Sequence, residues 1–257
     1  KELPEVYVFF HFAGQTSVYH AKDNVQNDLL VNVCGFLHLL RLLKKQSNKP
    51  FVVYSGTATE VGVTYSELKV DESHCDRPNT FYDISKLAAE NYLLQYVREG
   101  WLNGCSLRLC NVYGGVKNGQ NLERGVIDKV FQQSLRGEPL QLFGDGNYLR
   151  DYIHIDDVVD AFYLAFQNQE SVNGAFYYIG SGNGVLIKDA FSCVAKLAES
   201  VTEMPVKITS VEPPSHLSSI EFRSFVSDHS AFSNATGWIP KYRDLNSGIK
   251  YSYRHLF

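Results

Sequence analysis

Apolar residues in the first 115 positions fall into short continuous runs, and polar or amphipathic stretches separate them. Val6–Phe10, Pro50–Tyr54 and Ser106–Cys110 have the length and the valine and aromatic content of buried strands. The turn-forming segments Gly14 and Ser55–Thr59 follow the first two runs closely. The pattern therefore predicts three strands of one sheet, each followed by a polar turn.

Two helices are predicted between these strands. The first begins near Asp28, and its apolar stripe is Leu29, Val33, Leu37 and Leu40. A polar loop covers positions 64 to 79. The second helix spans about Thr80 to Arg98, with Leu87, Leu94 and Val97 as core candidates. Strands that alternate with helices in this way predict an α/β fold with a parallel sheet.

The pattern changes after Asn111, where glycine-rich turns become more frequent. We predict helices at 126–135, 157–166 and 188–200, and a strand at 175–179. We therefore expect a partial cofactor domain at 1–115, to which 152–180 returns. A smaller C-terminal α/β region for substrate binding is expected at 116–151 and 181–257.

Composition excludes several classes of protein. The 257 residues carry 24 basic and 28 acidic side chains, and without a long basic run the chain is not expected to bind nucleic acid. No apolar stretch is long enough to cross a membrane, and the first residues do not form a signal peptide. Five cysteines without a C-x-x-C pair favour reduced thiols and a cytoplasmic location, and no metal site is predicted.

The second helix carries the pair that most directly suggests chemistry. Tyr82 and Lys86 stand four residues apart and therefore share one helix face. An ammonium group beside a phenol stabilises the phenolate, so we expect the pKa of Tyr82 to be lowered. Such a tyrosine can take a proton from a sugar hydroxyl or return it. Thr57 lies just after a strand, where active sites of open α/β sheets lie, and would orient the substrate oxygen.

Six further segments extend this pattern over essentially the whole chain. They are His11–Gly14 (H-F-A-G), Asn32–Gly35 (N-V-C-G), Ser55–Gly62 (S-G-T-A-T-E-V-G), Leu107–Gly114 (L-R-L-C-N-V-Y-G), Leu142–Gly146 (L-F-G-D-G) and Arg150–Asp157 (R-D-Y-I-H-I-D-D). They resemble the motifs H-[FL]-A-[AG], N-V-x-G, S-S-[ST]-A-x-V-Y-G, L-R-x-x-N-x-Y-G and F-G-D-G followed by R-D-[YF]-[IV]-[HY]-[VI]-x-D. These are motifs of the extended short-chain dehydrogenase/reductase family. The resemblance is to its branch of NAD-dependent sugar-nucleotide epimerases and dehydratases, as in UDP-glucose 4-epimerase-like proteins.

The resemblance implies a Rossmann-like doubly wound parallel sheet, NAD as cofactor and a nucleotide-diphosphate sugar as substrate. It implies that Thr57, Tyr82 and Lys86 are catalytic. The residues implied in cofactor binding are Phe12, Ala13, Gly14, Asn32, Ser55, Tyr82 and Lys86. Those implied in substrate binding are Asn111 near the diphosphate, Phe143 near the base, and Arg150 and Arg223 on phosphates.

Several of these residues also have a structural interpretation. Asn111 has the residue type that caps a strand end, and Arg150 is close in sequence to the carboxylates of Asp151 and Asp156. Asn32 has the residue type of a helix asparagine that faces a loop.

The chain departs from the family at its beginning. Dinucleotide-binding folds begin with a strand, a G-x-G-x-x-G turn and a helix, and this fingerprint is not in the sequence. We therefore expect the chain to begin at the fourth strand of such a sheet. It is a fragment, a truncated protein without redox chemistry, or a chain whose site a partner completes, and we favour the first. An exposed sheet edge leads us to expect covering residues or a homodimer.

The expected reaction is epimerisation at C4 of the sugar through a 4-keto intermediate. A 4,6-dehydratase is an alternative, but that group carries an Asp-Glu pair after the catalytic threonine. Here Ala58 and Thr59 follow Thr57, and only a one-residue shift would bring Glu60 into that role. A decarboxylase of the same branch and a non-catalytic nucleotide-sugar binding module remain open.

Overall fold

The computed structural model describes residues 4–64, 69–115, 125–214, 217–254 and 256. The elements are, in chain order, β1 (Val8–His11), α1 (Val18–Asp23), α2 (Val25–Leu29), a π-helical turn (Leu30–Cys34), α3 (Gly35–Leu43), β2 (Phe51–Thr57), a 3₁₀ turn (Ala58–Val61), α4 (Phe81–Arg98), β3 (Asn103–Leu109), β4 (Asn111–Tyr113), α5 (Val126–Leu135), β5 (Leu140–Phe143), β6 (Leu149–His154), α6 (Ile155–Gln167), α7 (Gln169–Val172), β7 (Phe176–Ile179), β8 (Gly184–Leu186), α8 (Ile187–Thr202), β9 (Ile208–Val211), a second 3₁₀ turn (Ser219–Phe222), α9 (Ser230–Thr236) and α10 (Leu245–Ser252).

Four parallel strands form the main sheet in the order β1-β2-β3-β7. Because side chains alternate along a strand, β2 contributes side chains to both faces of the sheet. Val53 packs into the core beneath α6, and Val52 and Tyr54 pack into the core beneath α3 and α4. Helices on both faces of a parallel sheet confirm the predicted Rossmann-like α/β fold.

The C-terminal part builds a second core around smaller sheets. β4, β6 and β8 form one sheet, and β5 pairs with β9 in another. Helices α5, α8 and α10 pack together over them through residues such as Phe131, Val194 and Ile249. The boundaries of the two proposed domains stay a prediction.

Three predictions for the first elements need correction. The first strand is shifted to Val8–His11, and its four residues are half-buried because β1 lies at the edge of the described sheet. The helix near Asp28 is preceded by α1 and interrupted by the π-helical turn, which rotates the buried face. Leu29 is therefore 49% exposed, and the buried positions beyond it include Val33 and Phe36.

The helix that carries the catalytic pair is close to its predicted bounds. α4 buries Leu94 as expected, while Leu87 and Val97 are only half-buried. Leu93 and Ala89 take the central core positions instead. No helix in the described part of the chain is both long enough and apolar enough to span a membrane.

Candidate active site

The three predicted catalytic residues lie around one cavity of about 200 Å³ at the C-terminal end of the main sheet. Thr57 is the last residue of β2, and Tyr82 and Lys86 lie on the buried face of α4. Four of the residues predicted to bind the cofactor also line the cavity, namely Phe12, Ala13, Gly14 and Ser55.

A capping box fixes the start of α4 just before Tyr82. The backbone N–H of Asp83 donates to Oγ1 of Thr80 at 3.1 Å, and the N–H of Thr80 donates to Oδ2 of Asp83 at 3.1 Å. Because these bonds satisfy two free N–H groups at the helix end, the first turn is held in place. Tyr82, the second residue of the helix, is positioned through that turn.

Lys86 brings a nearly buried ammonium group to the cavity. Nζ donates to the backbone oxygen of Ser55 at 2.6 Å and lies 4.2 Å from the centre of the Tyr54 ring. Burial lowers the pKa of Lys86 to about 8, against the opposing charges of Glu60, Glu90 and Asp28. An ammonium has three N–H donors, so the bond to Ser55 leaves others for a ligand.

The expectation of a lowered pKa for Tyr82 is wrong for the protein as described. Burial is the first cause that raises the pKa of Tyr82 above its ordinary value, and the charge of Glu60 adds to it. A hydrogen bond with the Thr57 side chain opposes this shift.

Thr57 is held by its own turn as well as by Tyr82. Its Oγ1 lies 3.1 Å from Oγ1 of Thr59, and its backbone N–H donates to Oε1 of Glu60 at 2.8 Å. The bond to Glu60 belongs to a capping box at the start of the 3₁₀ turn, in which the Thr57 side chain also accepts from a backbone N–H of the turn. The hydroxyl predicted to orient substrate is thus fixed on two sides.

A buried charge cluster lies directly behind this turn. Arg108 on β3 donates to Asp76 at 2.7 and 2.8 Å and to Glu90 at 2.6 and 3.1 Å. Its fifth N–H reaches the hydroxyl of Tyr178 at 3.2 Å. Glu60 lies against the same guanidinium, with Oε2 3.1 Å from Nε, and its side chain is fully buried.

Asn32 lies behind the cavity wall and fixes the loop that forms it. Its Oδ1 accepts from the N–H of Gln15 at 2.8 Å, and its Nδ2 donates to Asp28 at 3.0 Å and to Ser85 at 3.2 Å. A side chain at Gly14 would place Cβ 3.0 Å from Asn32 Oδ1. Asn32 therefore acts through the backbone of residues 14 and 15, and it does not line the cavity.

The small cavity adjoins a cleft of about 1610 Å³ between the two cores, and Thr16 and Cys110 line both spaces. Three predicted substrate residues line the cleft, namely Asn111, Phe143 and Arg150. Phe143 is 39% exposed, which leaves a ring face available for stacking. The thiol of Cys110 is buried, and burial together with Asp151 raises its pKa well above the ordinary value.

Arg150 is a nearly buried cation without a carboxylate ion pair among the described residues. Its guanidinium donates to the backbone oxygens of Leu149 at 3.0 Å, Glu221 at 2.6 Å and Arg223. Asp151 does not pair with it, because that carboxylate accepts hydrogen bonds from Ser181 and Ser227. A buried guanidinium of this kind is suited to an anionic ligand.

Arg223 lies behind Arg150 and does not line either space. Burial and the neighbouring charge of Arg150 lower the pKa of Arg223 to about 10. Its Nη1 donates to the backbone oxygen of Ile220 at 3.1 Å. Arg223 therefore adds positive potential behind the cleft, and a direct phosphate contact stays a prediction.

A model of the NAD dependent epimerase/dehydratase family matches residues 2–180. The chain belongs to this family. The match covers all four strands of the main sheet together with α4 and β6, and it confirms the family predicted from the motifs.

Individual members of the epimerase/dehydratase family are similar over most of the chain. CDP-paratose 2-epimerase of Salmonella typhi is 26% identical over 254 residues, which cover 90% of this chain and 72% of that protein. A putative UDP-glucose 4-epimerase of Methanocaldococcus jannaschii is 31% identical over 194 residues, or 74% of this chain and 60% of that protein. The structure of UDP-glucose 4-epimerase from Thermotoga maritima, solved with UDP-glucose, has a TM-score of 0.83 and 29% identity. The match covers 98% of this chain and 78% of the Thermotoga maritima chain.

Two buried carboxylates of this family member were missed as parts of the site. Asp28 and Asn32 are four residues apart on the same helical face, and that spacing was a signal for their hydrogen bond. Glu60 stands where the motif S-S-[ST]-A-x-V-Y-G has valine. The sequence therefore showed an ionisable residue at a position that is apolar in the motif.

Proposed function

We propose that this chain is an NAD-dependent epimerase that acts at C4 of a nucleotide-diphosphate sugar through a 4-keto intermediate. The observation that carries the proposal is the placement of Thr57, Tyr82 and Lys86 around one cavity, beside a cleft that holds the unpaired cation Arg150.

The residues around the small cavity fit the nicotinamide part of NAD. Gly14 and Gly56 form part of the cavity wall, and side chains there would displace it, since Cβ atoms would lie 3.0 Å from Asn32 and 2.8 Å from Ser106 behind the wall. Lys86 has donors left for ribose hydroxyls, and Ser55 lies beside it. NAD, when bound, supplies reversible hydride transfer.

The proton steps belong to Tyr82. Its phenolate form takes the proton of the sugar hydroxyl while Thr57 holds the same oxygen, and the resulting phenol returns the proton when the ketone is reduced. Burial raises the pKa of Tyr82 and so disfavours the phenolate, and proton transfer would therefore need positive charge close to the phenol oxygen in the loaded site. Lys86 places positive charge one helical turn away.

The larger cleft would take the nucleotide diphosphate. Arg150 would hold a phosphate through its guanidinium, Asn111 would contact the diphosphate region, and Phe143 would pack against the base. The volume of the cleft and its position beside the catalytic cavity agree with a substrate of that length.

The geometry disfavours the dehydratase alternative. A dehydratase needs an acidic pair facing the substrate, and the positions after Thr57 are Ala58 and Thr59. The one remaining candidate, Glu60, points away from the cavity toward Arg108 and is fully buried. Product analysis would distinguish a decarboxylase of the same branch from an epimerase.

We also propose that the chain forms a homodimer through α4 and the π-helical turn. Phe81, Ile84 and Tyr92 follow one face of α4 and are 47%, 51% and 45% exposed. Leu30, on the adjoining π-helical turn, is 52% exposed. A contiguous apolar patch of this kind marks an interface, and symmetric pairing of identical chains is its commonest use.

The substitution Tyr82→Phe tests the enzymatic proposal. Without the phenol oxygen the sugar proton has no acceptor, so we expect turnover to fall at least about 10²-fold. Binding of the nucleotide sugar, measured by calorimetry, is expected to stay within about threefold because contacts in the cleft remain.

The assay incubates the protein and NAD with a panel of nucleotide sugars and identifies the products by mass spectrometry and NMR. Tyr163→Phe, at an exposed position on α6 that lines neither space, is the control and is expected to be fully active. Turnover by Tyr82→Phe would refute the role of Tyr82. Tight nucleotide-sugar binding by the native protein without any turnover would favour the non-catalytic binding module.

A further inference from the structure

Glu60 is a fully buried carboxyl group in the wall of the proposed active site. It lies in the 3₁₀ turn three residues after Thr57, at a position where the family motif has valine. Neither the catalytic cavity nor the cleft is lined by Glu60. Its effect on chemistry must therefore pass through the residues that it contacts.

One oxygen of this carboxyl group holds the backbone of the catalytic threonine. Oε1 of Glu60 accepts from the N–H of Thr57 at 2.8 Å. Thr57 is the last residue of β2, so this bond fixes the point where the strand turns away and its hydroxyl meets Tyr82. A valine at position 60 would leave that N–H without this acceptor.

The other oxygen lies beside a guanidinium whose donors are already taken. Asp76 accepts two of the Arg108 hydrogen bonds, Glu90 accepts two and Tyr178 accepts one, which uses all five N–H groups. Oε2 of Glu60 is 3.1 Å from Nε but has no hydrogen-bond partner among the described residues. A third carboxylate here would be a buried charge without its own counter-ion.

The surroundings favour a neutral acid at this position. Burial raises the pKa of Glu60 well above its ordinary value, and the charge of Glu90 adds to the shift. Arg108, Lys86 and the N–H of Thr57 oppose it. An ionised Glu60 would also raise the pKa of Tyr82 further, which works against proton abstraction.

We propose that Glu60 is a positioning residue whose carboxyl group holds the Thr57 backbone so that the threonine hydroxyl meets Tyr82 and the substrate oxygen. The role in turnover rests on the proposed epimerase function, whereas the hold on Thr57 does not. Glu60 touches neither substrate nor cofactor, and it acts only through Thr57.

Two substitutions separate shape from charge. Glu60→Gln keeps an acceptor oxygen for the Thr57 N–H and is neutral, so kcat is expected to stay within about threefold of the native value. Glu60→Val restores the apolar residue of the motif and removes the acceptor. We expect kcat to fall about 10- to 100-fold, because a small displacement of a catalytic group has that effect, while KM changes less than about twofold.

The substitution Glu60→Val is expected to affect thermal stability differently from activity. Removal of a buried carboxyl group beside a saturated arginine is favourable, but it leaves the Thr57 N–H without this acceptor, so the Tm of Glu60→Val should stay close to that of the native protein. A variant that loses kcat without losing Tm has lost positioning and not the fold.

Hydrogen exchange gives a readout that does not depend on turnover. The amide of Thr57 should remain protected in Glu60→Gln and exchange at least about tenfold faster in Glu60→Val. Native exchange and native kcat in Glu60→Val would overturn the proposal, and so would a loss of kcat in Glu60→Gln as large as in Glu60→Val. If the native protein shows no turnover, the epimerase function fails, and the exchange rates alone still decide whether Glu60 holds Thr57.

Discussion

At the scale of single residues, Lys86 combines a functional position with an energetic cost. Its ammonium is 7% exposed, and burial lowers its pKa from 10.5 to about 8. Below about pH 8 the lysine is charged in folded and unfolded chains alike, and the folded chain bears the full cost of burying the charge. Between about pH 8 and 10.5 the unfolded chain still holds the proton and the folded chain does not, so the free energy of unfolding rises with pH.

Replacement of Lys86 by an apolar residue should therefore lower activity and raise the free energy of unfolding at neutral pH. We expect Lys86→Met to lose the proposed epimerase activity and to gain stability relative to the native protein at pH 7. That advantage should shrink by about 3 kcal/mol toward pH 10.5, since each pKa unit corresponds to about 1.4 kcal/mol.

Urea unfolding of both proteins at pH 7, 9 and 10 measures this difference. Lys45→Met, at an exposed position, should show no pH-dependent difference from the native protein. A stability difference for Lys86→Met that is constant with pH would contradict the lowered pKa of Lys86.

At the scale of elements, α4 is the part that depends most on its first turn. Thr80 and Asp83 close a reciprocal capping box there, and Tyr82 lies between them in sequence. Thr80→Ala removes the acceptor for the Asp83 N–H, so we expect the free energy of unfolding to fall by about 1 kcal/mol. Thr80→Ser keeps the acceptor and should be close to native in the same urea titration. Equal stability of the alanine and serine variants would show that the cap does not hold the helix.

The elements that the sequence predicts well are those whose local signals agree with their packing. α5 has the predicted bounds of Val126 and Leu135, and α4 begins at its threonine cap. Val33 and Leu40 of the predicted stripe are buried, but Leu29 is exposed because the π-helical turn after it changes the helical period, and periodicity alone cannot show such a turn.

In the site, too, the features that depend on local sequence motifs were predicted, and the features that depend on contacts between distant residues were not. Motif spacing brought Thr57, Tyr82 and Lys86 together correctly, because one strand end and one helix face carry all three. The direction of the Tyr82 pKa shift was wrong, since it depends on burial and on Glu60, which only the folded chain reveals. The contacts of Arg150 with Glu221 and Arg223 join residues more than 70 positions apart, and no local pattern predicts them.

At the scale of the whole molecule, α4 presents two different faces. One face is buried and carries Tyr82 and Lys86, and the other is apolar and exposed. Ile84 is 51% exposed between the nearly buried Tyr82 and Lys86. If two copies pair through this face, the catalytic helix of each is supported by its partner. Dimerisation would then stabilise the site as well as the chain.

A charge on that face should break the pair. We expect Ile84→Glu to sediment as a monomer in analytical ultracentrifugation, because a dimer would have to bury an unpaired carboxylate. Val159→Glu, a comparably exposed apolar position on α6, should leave the native sedimentation unchanged. A native protein that is monomeric at micromolar concentration would refute the homodimer.

The thiol of Cys110 lies where the two spaces of the active site meet. Thiols attack ketones and react with oxidants as thiolates, and burial beside Asp151 keeps this sulfur in its protonated form. A carbonyl compound passing between cleft and cavity would therefore meet no nucleophile there, and no hemithioketal would trap it. The same protonation should make this sulfur react more slowly with peroxide than an exposed thiol does, because peroxide reacts with the thiolate.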